Sequence, residues 1–395
     1  MRLFSRFVAP DNSPVVLRNL DRLAWGRLVS NACYRFAPPF VAVIARGFDV
    51  SVGQLGIALM VGEFAGLLSP FIGRRVDAAN RVTAMAFGMS ALFVGVVAAA
   101  AAPNVAVFTL AMFVISAAKV VFDTALIVWI NDHVPYERRG QVVGIIETSW
   151  ALGLFVGVAA MGLVTALVNW RAGFALGAAA MAVTGLLIVR ALPRHEAHAP
   201  AAEGPRARLP RNGWLVVAAF FMLLGAAQTV GIVFGPWFED SFGFTSGAIV
   251  AVVVSMGVVE LVGSIGSSRV VDVWGKEASV RRGTALMLAS CALMLLGQGT
   301  AWVAVPMVVV FFLGFEFGIV CLLPVAANIV PAASGVGLGT AVGAGTFGRA
   351  VMSSVATNLY DAVGPAGPAV LAAAMSVAAG ALVTAYERSV SGTRS

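Results

Sequence analysis

Gly73-Arg74-Arg75-Val76-Asp77-Ala78-Ala79-Asn80-Arg81 and Ser268-Arg269-Val270-Val271-Asp272-Val273-Trp274-Gly275-Lys276 are two versions of one charged turn. Their aspartates lie 195 residues apart in a chain of 395. Two further landmarks repeat at nearly the same offset. Glu63-Phe64-Ala65-Gly66 precedes the first turn as Glu260-Leu261-Val262-Gly263 precedes the second, and Val134-Pro135 is echoed by Val330-Pro331. The chain therefore reads as two copies of one unit. The copied element is a short charged loop between apolar segments, the pattern expected of a transporter built from parallel repeats.

Composition sets the medium. Hydrophobic residues make up 59% and charged residues 11% of the chain, with a mean hydropathy of +0.92. Soluble domains carry about 25% charged residues, so this chain cannot clothe a soluble surface and is expected to be an integral membrane protein. Windows of about 20 residues predict twelve spans, near 24–46, 50–72, 82–102, 104–130, 141–168, 172–191, 214–238, 245–267, 281–301, 303–330, 338–360 and 366–386. The fold class is all-α, with two pseudo-symmetric six-helix bundles around a central cavity.

Basic residues set the orientation. Of the 26 Lys and Arg, 21 (Arg27 among them) fall on the cytoplasmic side if the N-terminus is inside. Only Arg46 and Arg171 fall on the other side, and Arg35, Lys119 and Arg349 lie within spans. This is a positive-inside pattern. The net charge of +7 is then a product of topology, and no nucleic-acid partner is implied. The expected organisation is a cytoplasmic N-terminal segment (1–23), a first bundle (24–191), a Pro- and Ala-rich cytoplasmic linker (192–213), a second bundle (214–386) and a cytoplasmic tail (387–395). Met1–Leu20 has no continuous apolar core and is not read as a removable signal. Cys33, Cys291 and Cys321 fall within spans and are expected as buried apolar residues rather than disulfide or metal ligands.

The chain resembles the major facilitator superfamily over essentially its whole length. The loop between helices two and three carries the likeness: the family favours Gly-x-x-x-Asp-Arg-x-Gly-Arg-Arg, of which Gly73, Asp77 and Arg81 are present. The second copy keeps Asp272, Gly275 and Lys276. The resemblance implies that Asp77 faces the start of helix eleven near Ser334, and Asp272 the start of helix five near Gln141, with Arg138 and Arg139 adding ion pairs. A helix N-terminus carries partial positive charge and unpaired N–H groups, which favours a carboxylate there. These residues are expected to form a cytoplasmic gate; alternatively, both loops only fix topology. The resemblance leans to efflux-type members, although Val158 stands where drug–proton antiporters have the proline of their helix-five signature.

An ionisable group inside a span costs about 2.5 kcal/mol or more, so each needs a partner or a purpose. Arg35 precedes Pro38-Pro39, whose broken backbone bonding is tolerated where it lines a cavity. Arg35 and Glu63 lie at comparable depth and are expected to pair, either as a proton-sensitive link or as a permanent ion pair. Lys119 and Asp123 share a helix face at i, i+4 and form a self-neutralising pair or a functional one. Glu147 and Trp150 open helix five, while Glu316 and Arg349 are expected to meet across the second bundle. Glu260 has no opposite charge on its own helix. Proton carriers are expected at Glu63, Glu260 and Asp123, and cavity or substrate contacts at Arg35, Glu147, Trp150, Glu316 and Arg349. Phe155, Phe234 and Trp237 either line that cavity or pack.

No phosphate loop, metal-ligand spacing or nucleophile–base set is present in the sequence, so neither an enzyme nor an ATP-driven pump is expected. No cofactor or metal is expected, and the proton gradient is the energy source. The functional expectation is a proton-coupled exporter of a small organic solute, working by alternating access as a monomer in the lipid bilayer of a bacterial inner membrane, both termini cytoplasmic. The alternatives are an ion-coupled importer, or a non-transporting sensor on the same scaffold.

Overall fold

The computed structural model describes residues 4–7, 13–68, 80–134, 136–191, 209–330 and 334–391. The side chains at 131, 136–141, 143–144, 267–273 and 334–335 lie outside that description. Fourteen helices run through the described residues, joined by short connections: α1 (Pro14–Arg35), α2 (Val41–Phe48), α3 (Val52–Glu63), α4 (Arg81–Ala101), α5 (Val105–His133), α6 (Tyr136–Leu152), α7 (Ala159–Leu167), α8 (Trp170–Ala191), α9 (Gly213–Phe242), α10 (Ser246–Trp274), α11 (Lys276–Leu296), α12 (Ala301–Ala327), α13 (Ser334–Val363) and α14 (Ala366–Ser391). No strand occurs among these residues. Ten helical stretches are long and apolar enough to cross a membrane, the first being Pro14–Phe48, and Val52–Leu68 is a shorter apolar helix. With Val52–Leu68 and α13 the count reaches the twelve segments expected. Helix α13 is long enough, but Arg349, Ser353, Ser354, Thr357 and Asn358 hold its hydropathy down.

Local chemistry marks the ends. Ser51 and Gln54 form a reciprocal capping box at the start of α3, and the side chains of Asn80 and Asn104 accept from the first free N–H groups of α4 and α5. Such caps satisfy donors that have no partner within the helix. Gly243 and Gly275 have φ of +66° and +79°, a region open to glycine because it lacks a Cβ. Gly275 thereby lets α10 end at Trp274 and α11 begin at Lys276. Arg171 donates to the carbonyls of Ala100 and Ala102 at the end of α4, where a cation also meets the negative end of the helix dipole.

Two spans are less regular than expected. The first helix begins ten residues earlier than predicted, at Pro14, and breaks into a 3-10 turn at Pro38–Phe40. Proline removes the N–H donor and clashes with the preceding turn. The fifth span is split by a π-helical turn at Gly153–Val158 between α6 and α7.

The chain forms two compact units: residues 1–37 with 65–202, and residues 38–64 with 203–395. In the first, α1 packs on α5, α6, the π-turn and α8, while α4 packs on α5 and α8. In the second, α9 packs on α12, α13 and α14, and α11 on α12 and α14. The Pro38–Phe64 segment packs there too, with its 3-10 turn against α9 and α3 against α13.

The α3–α13 contact is built from glycine. A Cβ on Gly56 would lie 1.8 Å from Thr357 Oγ1 and 2.7 Å from the Ser353 carbonyl oxygen. Gly53 N–H donates to Asp361 Oδ2 at 2.7 Å, and Phe64 stacks on Phe347 with centroids 6.1 Å apart. Residue numbers rise on one helix as they fall on the other, so the two run antiparallel. Gly56→Ala is expected to lower stability by about 1–3 kcal/mol through overpacking, read as a lower thermal midpoint in detergent. Gly339→Ala, where nothing lies within 4 Å of the new Cβ, should leave that midpoint unchanged.

Candidate functional site

In the first unit, α1, α5 and α6 assemble a charged cluster. Arg27, on α1, places Nη1 3.0 Å from Glu147 Oε1 of α6 and Nε 3.5 Å from Asp123 Oδ1 of α5. Nη1 also donates to the Ile146 carbonyl at 3.1 Å. Lys119, one turn before Asp123, holds its Oδ2 at 2.5 Å. Arg27 and Lys119 are buried, at 7% and 6% exposure. The pairing has a physical necessity: two cations inside a span are tolerable only beside carboxylates, and here two are supplied.

The same face continues along α1. Asn31, one turn after Arg27, is fully buried and approaches Ser149 Oγ at 3.5 Å. Arg35 lies one turn further on, donates to the Trp150 carbonyl at 3.1 Å and sits 4.5 Å from the centroid of its indole. Lys119 Nζ stands 5.8 Å from that indole and 5.7 Å from the Tyr34 ring. Cations are attracted to the negative face of an aromatic ring. Glycine makes the approach possible, since a Cβ on Gly153 would lie 2.7 Å from Asn31 Cβ and one on Gly157 2.3 Å from Ala32 Cβ. Both glycines belong to the π-helical turn, a feature that occurs frequently at functional sites. Arg27 Nε, Asn31 Oδ1 and Asp123 Oδ1 are buried and accept or donate no hydrogen bond within the protein. Arg27 Nε and Asp123 Oδ1 face each other as an ion pair, which leaves Asn31 Oδ1 as the cluster's buried acceptor without a hydrogen bond.

The second unit holds a separate set. Glu63 ends α3, and its Oε1 lies 3.2 Å from Arg349 Nη2 of α13. One turn along α13, Ser353 Oγ accepts from Gln228 Nε2 of α9 at 2.9 Å. Glu316 accepts from Ser264 Oγ at 2.5 Å. Glu260 is buried, at 1% exposure. Toward the far end of α9, Tyr360 donates to Asp240 at 2.6 Å and Arg46 pairs with Glu239 at 2.6 Å.

Several expectations are corrected. Arg27, placed among the cytoplasmic basic residues, is a buried member of the first cluster. Arg349, expected opposite Glu316, forms an ion pair with Glu63, for which Arg35 was the expected partner. Arg35 lies on Trp150 and Glu316 accepts from a serine hydroxyl; the deciding geometry is between helices and leaves no trace in spacing. Phe234 and Trp237 follow the packing alternative and need no correction: they are core residues, at 0% and 3% exposure, with Trp237 Nε1 donating to the Gln298 carbonyl. The Lys119–Asp123 pair forms as spacing suggested, and Glu147 and Trp150 join it. Among the gate residues, Arg81 is buried and pairs with Asp132 at 3.2 Å, while Gly275 and Lys276 form the turn between α10 and α11. Gly73 and Asp77 lie outside the described residues, as do the side chains of Arg138, Arg139 and Asp272. Asn31, Gln228 and Asp361 were missed. A polar residue one turn from Arg35, inside an apolar span, was the available signal for Asn31.

Long apolar helices in two units, each with ionisable side chains buried between helices, make a multi-pass membrane protein. The chain belongs to the Major Facilitator Superfamily, whose sequence profile matches residues 23–357. Solved structures of low identity share the fold. A bacterial homologue of the human lysosomal transporter Spinster, inward-facing and occupied, superposes with a TM-score of 0.75 at 13% identity, covering 95% of this chain and 97% of that one. The human organic anion transporter MFSD10 (TETRAN) gives 0.70 at 16% identity, covering 94% of this chain and 100% of that one. An uncharacterized MFS-type transporter, YwfA of Bacillus subtilis (strain 168), is 27% identical over 134 residues, a stretch spanning 34% of this chain and about a third (32%) of that relative's length. The protein is a secondary transporter by family and fold.

The first cluster makes a testable demand. Removing one partner of a buried ion pair leaves an uncompensated charge, at a cost of about 3–5 kcal/mol, whereas replacing both is often tolerated. Lys119→Met should lower the thermal midpoint in detergent markedly, and Lys119→Met with Asp123→Leu should recover part of the loss. Equal midpoints for the single and double variants would mean that the pair is energetically idle.

Proposed function

We propose that this protein is a proton-coupled exporter of a small organic solute, working by alternating access. The observation that carries the reading is the Glu63–Arg349 ion pair, in which a buried carboxylate closing α3 meets an arginine on α13 at 3.2 Å. Ionised Glu63 holds Arg349. A proton on Glu63 removes that attraction, so binding a proton and loosening α3 from α13 become one event. A ligand shifts a two-state equilibrium only by its differential affinity for the two states, and a proton that breaks this link has such a difference.

Glu260 and Asp123 are the other proton carriers in this reading. Arg35, Glu147 and Trp150 in the first unit, and Glu316 and Arg349 in the second, are the candidate solute contacts in this reading. The charged turns at Gly73, Asp77 and Arg81 and at Asp272, Gly275 and Lys276, with Arg138 and Arg139, close the cytoplasmic end. The proton gradient supplies the energy with no cofactor. The chain works as a monomer in a bacterial inner membrane with both termini in the cytoplasm. Support for this orientation comes from the bias of basic residues and from the two exceptions, since Arg46 and Arg171 are each engaged by other residues.

Proteoliposomes test the coupling. A panel of organic cations and anions is screened for counterflow, and any transported member is then driven by a pH gradient. Glu63→Gln is expected to keep counterflow and to lose gradient-driven accumulation, falling to the level of empty liposomes. Undiminished accumulation in Glu63→Gln would refute the assignment of Glu63. Absence of counterflow for every solute would favour a sensor, and accumulation in the direction of proton entry would favour an importer.

A further inference from the structure

On α10, α11 and α12 of the second unit, an apolar pocket of about 290 Å3 opens on the helix surface, lined by Val262, Gly266, Leu286, Leu313 and Phe317 among others. One end carries Trp274 and Arg282. We infer that this groove is a binding site for an anionic phospholipid, with one acyl chain along its apolar lining and the phosphate on Arg282.

The groove has the right length. Val262 and Trp274 are twelve residues apart on α10, about 18 Å at 1.5 Å per residue. Half of the hydrocarbon core of a bilayer is about 15 Å. The groove thus extends from a membrane interface toward the midplane, the reach of one acyl chain in one leaflet. Gly266 is open, since a Cβ there would have nothing within 4 Å. Gly283 is tight against Gly314 and Gly318, drawing α11 and α12 together beneath the groove.

The polar end has the right chemistry. Trp274 closes α10 and is 44% exposed, as tryptophans at a membrane interface are. The Arg282 guanidinium lies 4.2 Å from the centroid of that indole, and Trp274 in turn meets Phe317 with ring centroids 6.0 Å apart. Stacking fixes the plane of the guanidinium and leaves its N–H edge available for a bidentate contact with phosphate oxygens. Neighbouring Arg281 is satisfied by Glu387 of α14, whereas Arg282 has no carboxylate within ion-pair distance among the described residues. Exposed Lys276 adds a second positive charge nearby. A guanidinium with no carboxylate partner among the described residues, beside an apolar groove, suits an anionic headgroup and gives a zwitterionic one no advantage.

The test is native mass spectrometry of the intact protein after exchange into micelles holding equal phosphatidylglycerol and phosphatidylcholine. Wild-type protein should retain phosphatidylglycerol over phosphatidylcholine about fivefold, the preference that about 1 kcal/mol from one basic residue provides. Arg282→Gln should abolish the preference while retaining lipid. Gly266→Leu, filling an open position, should lose retention of both lipids. Both variants should keep the wild-type gel-filtration profile in lipid-free detergent. Equal retention of the two lipids by wild type, or wild-type retention by both variants, would overturn the proposal. Displacement of the lipid by inorganic phosphate would also overturn it, by showing that the acyl groove contributes nothing.

Discussion

A charge within the hydrocarbon of a bilayer needs a counter-charge, and in this protein the counter-charge comes mostly from another helix. Arg27 of α1 is met by carboxylates of α5 and α6, and Arg349 of α13 by the carboxylate ending α3. Without those partners each group would be several kcal/mol too expensive to hold where it lies. The remaining structure can be understood as what brings the partners within 3–4 Å of one another. Lipid offers no hydrophobic drive for helices to associate, so close approach through small residues carries the packing. Gly153 and Gly157 seat α1 against the π-turn beside Glu147, and Gly53 and Gly56 seat α3 against α13 beside Arg349. Charge and glycine are two halves of one device in both units.

The fold was legible because its signals are local or periodic. Twelve apolar segments, one Pro- and Ala-rich linker and two charged turns at a 195-residue offset suffice for the architecture. The site was legible only in its inventory. Most of the buried ionisable residues among those described were recognised, because a charge in an apolar run is conspicuous; Asp21 and Arg27 were not. Arg27 escaped because α1 starts at Pro14, ten residues before its apolar stretch, so a residue well inside the helix looked like one at its end. Which carboxylate meets which arginine was not legible. Glu63 and Arg349 are 286 residues apart, and nothing along the chain distinguishes Arg349 from any other partner for Glu63.

The exceptions to the charge asymmetry are informative for the same reason. A basic residue on the side that lacks them is tolerated when something local engages it. Arg171 caps the carbonyls ending α4, and Arg46 meets Glu239. Arg282 is the contrasting case: it stacks on Trp274 and has no carboxylate within ion-pair distance among the described residues. Its place beside an apolar groove is what carries the inference that it meets a lipid headgroup.

The α3–α13 contact shows why Glu63 is a better place than Glu260 for a proton to act mechanically. Its rungs differ in kind: a backbone N–H on the Asp361 carboxylate, a glycine against Thr357, an ion pair at Arg349 and a ring stack at Phe347. The glycine and aromatic rungs are steric and do not change with protonation. The Asp361 rung is anchored at a helix N-terminus, where partial positive charge favours the ionised carboxylate. The ion pair is the rung whose attraction is lost outright when its carboxylate is neutralised, and it lies where α3 gives way to a 3-10 turn at Phe64–Leu68. A change in attraction at the end of a helix moves that end without having to unpack the middle. Glu260 sits well inside α10, with fourteen residues of helix before it and fourteen after, so neutralising it would be resisted by packing on both sides.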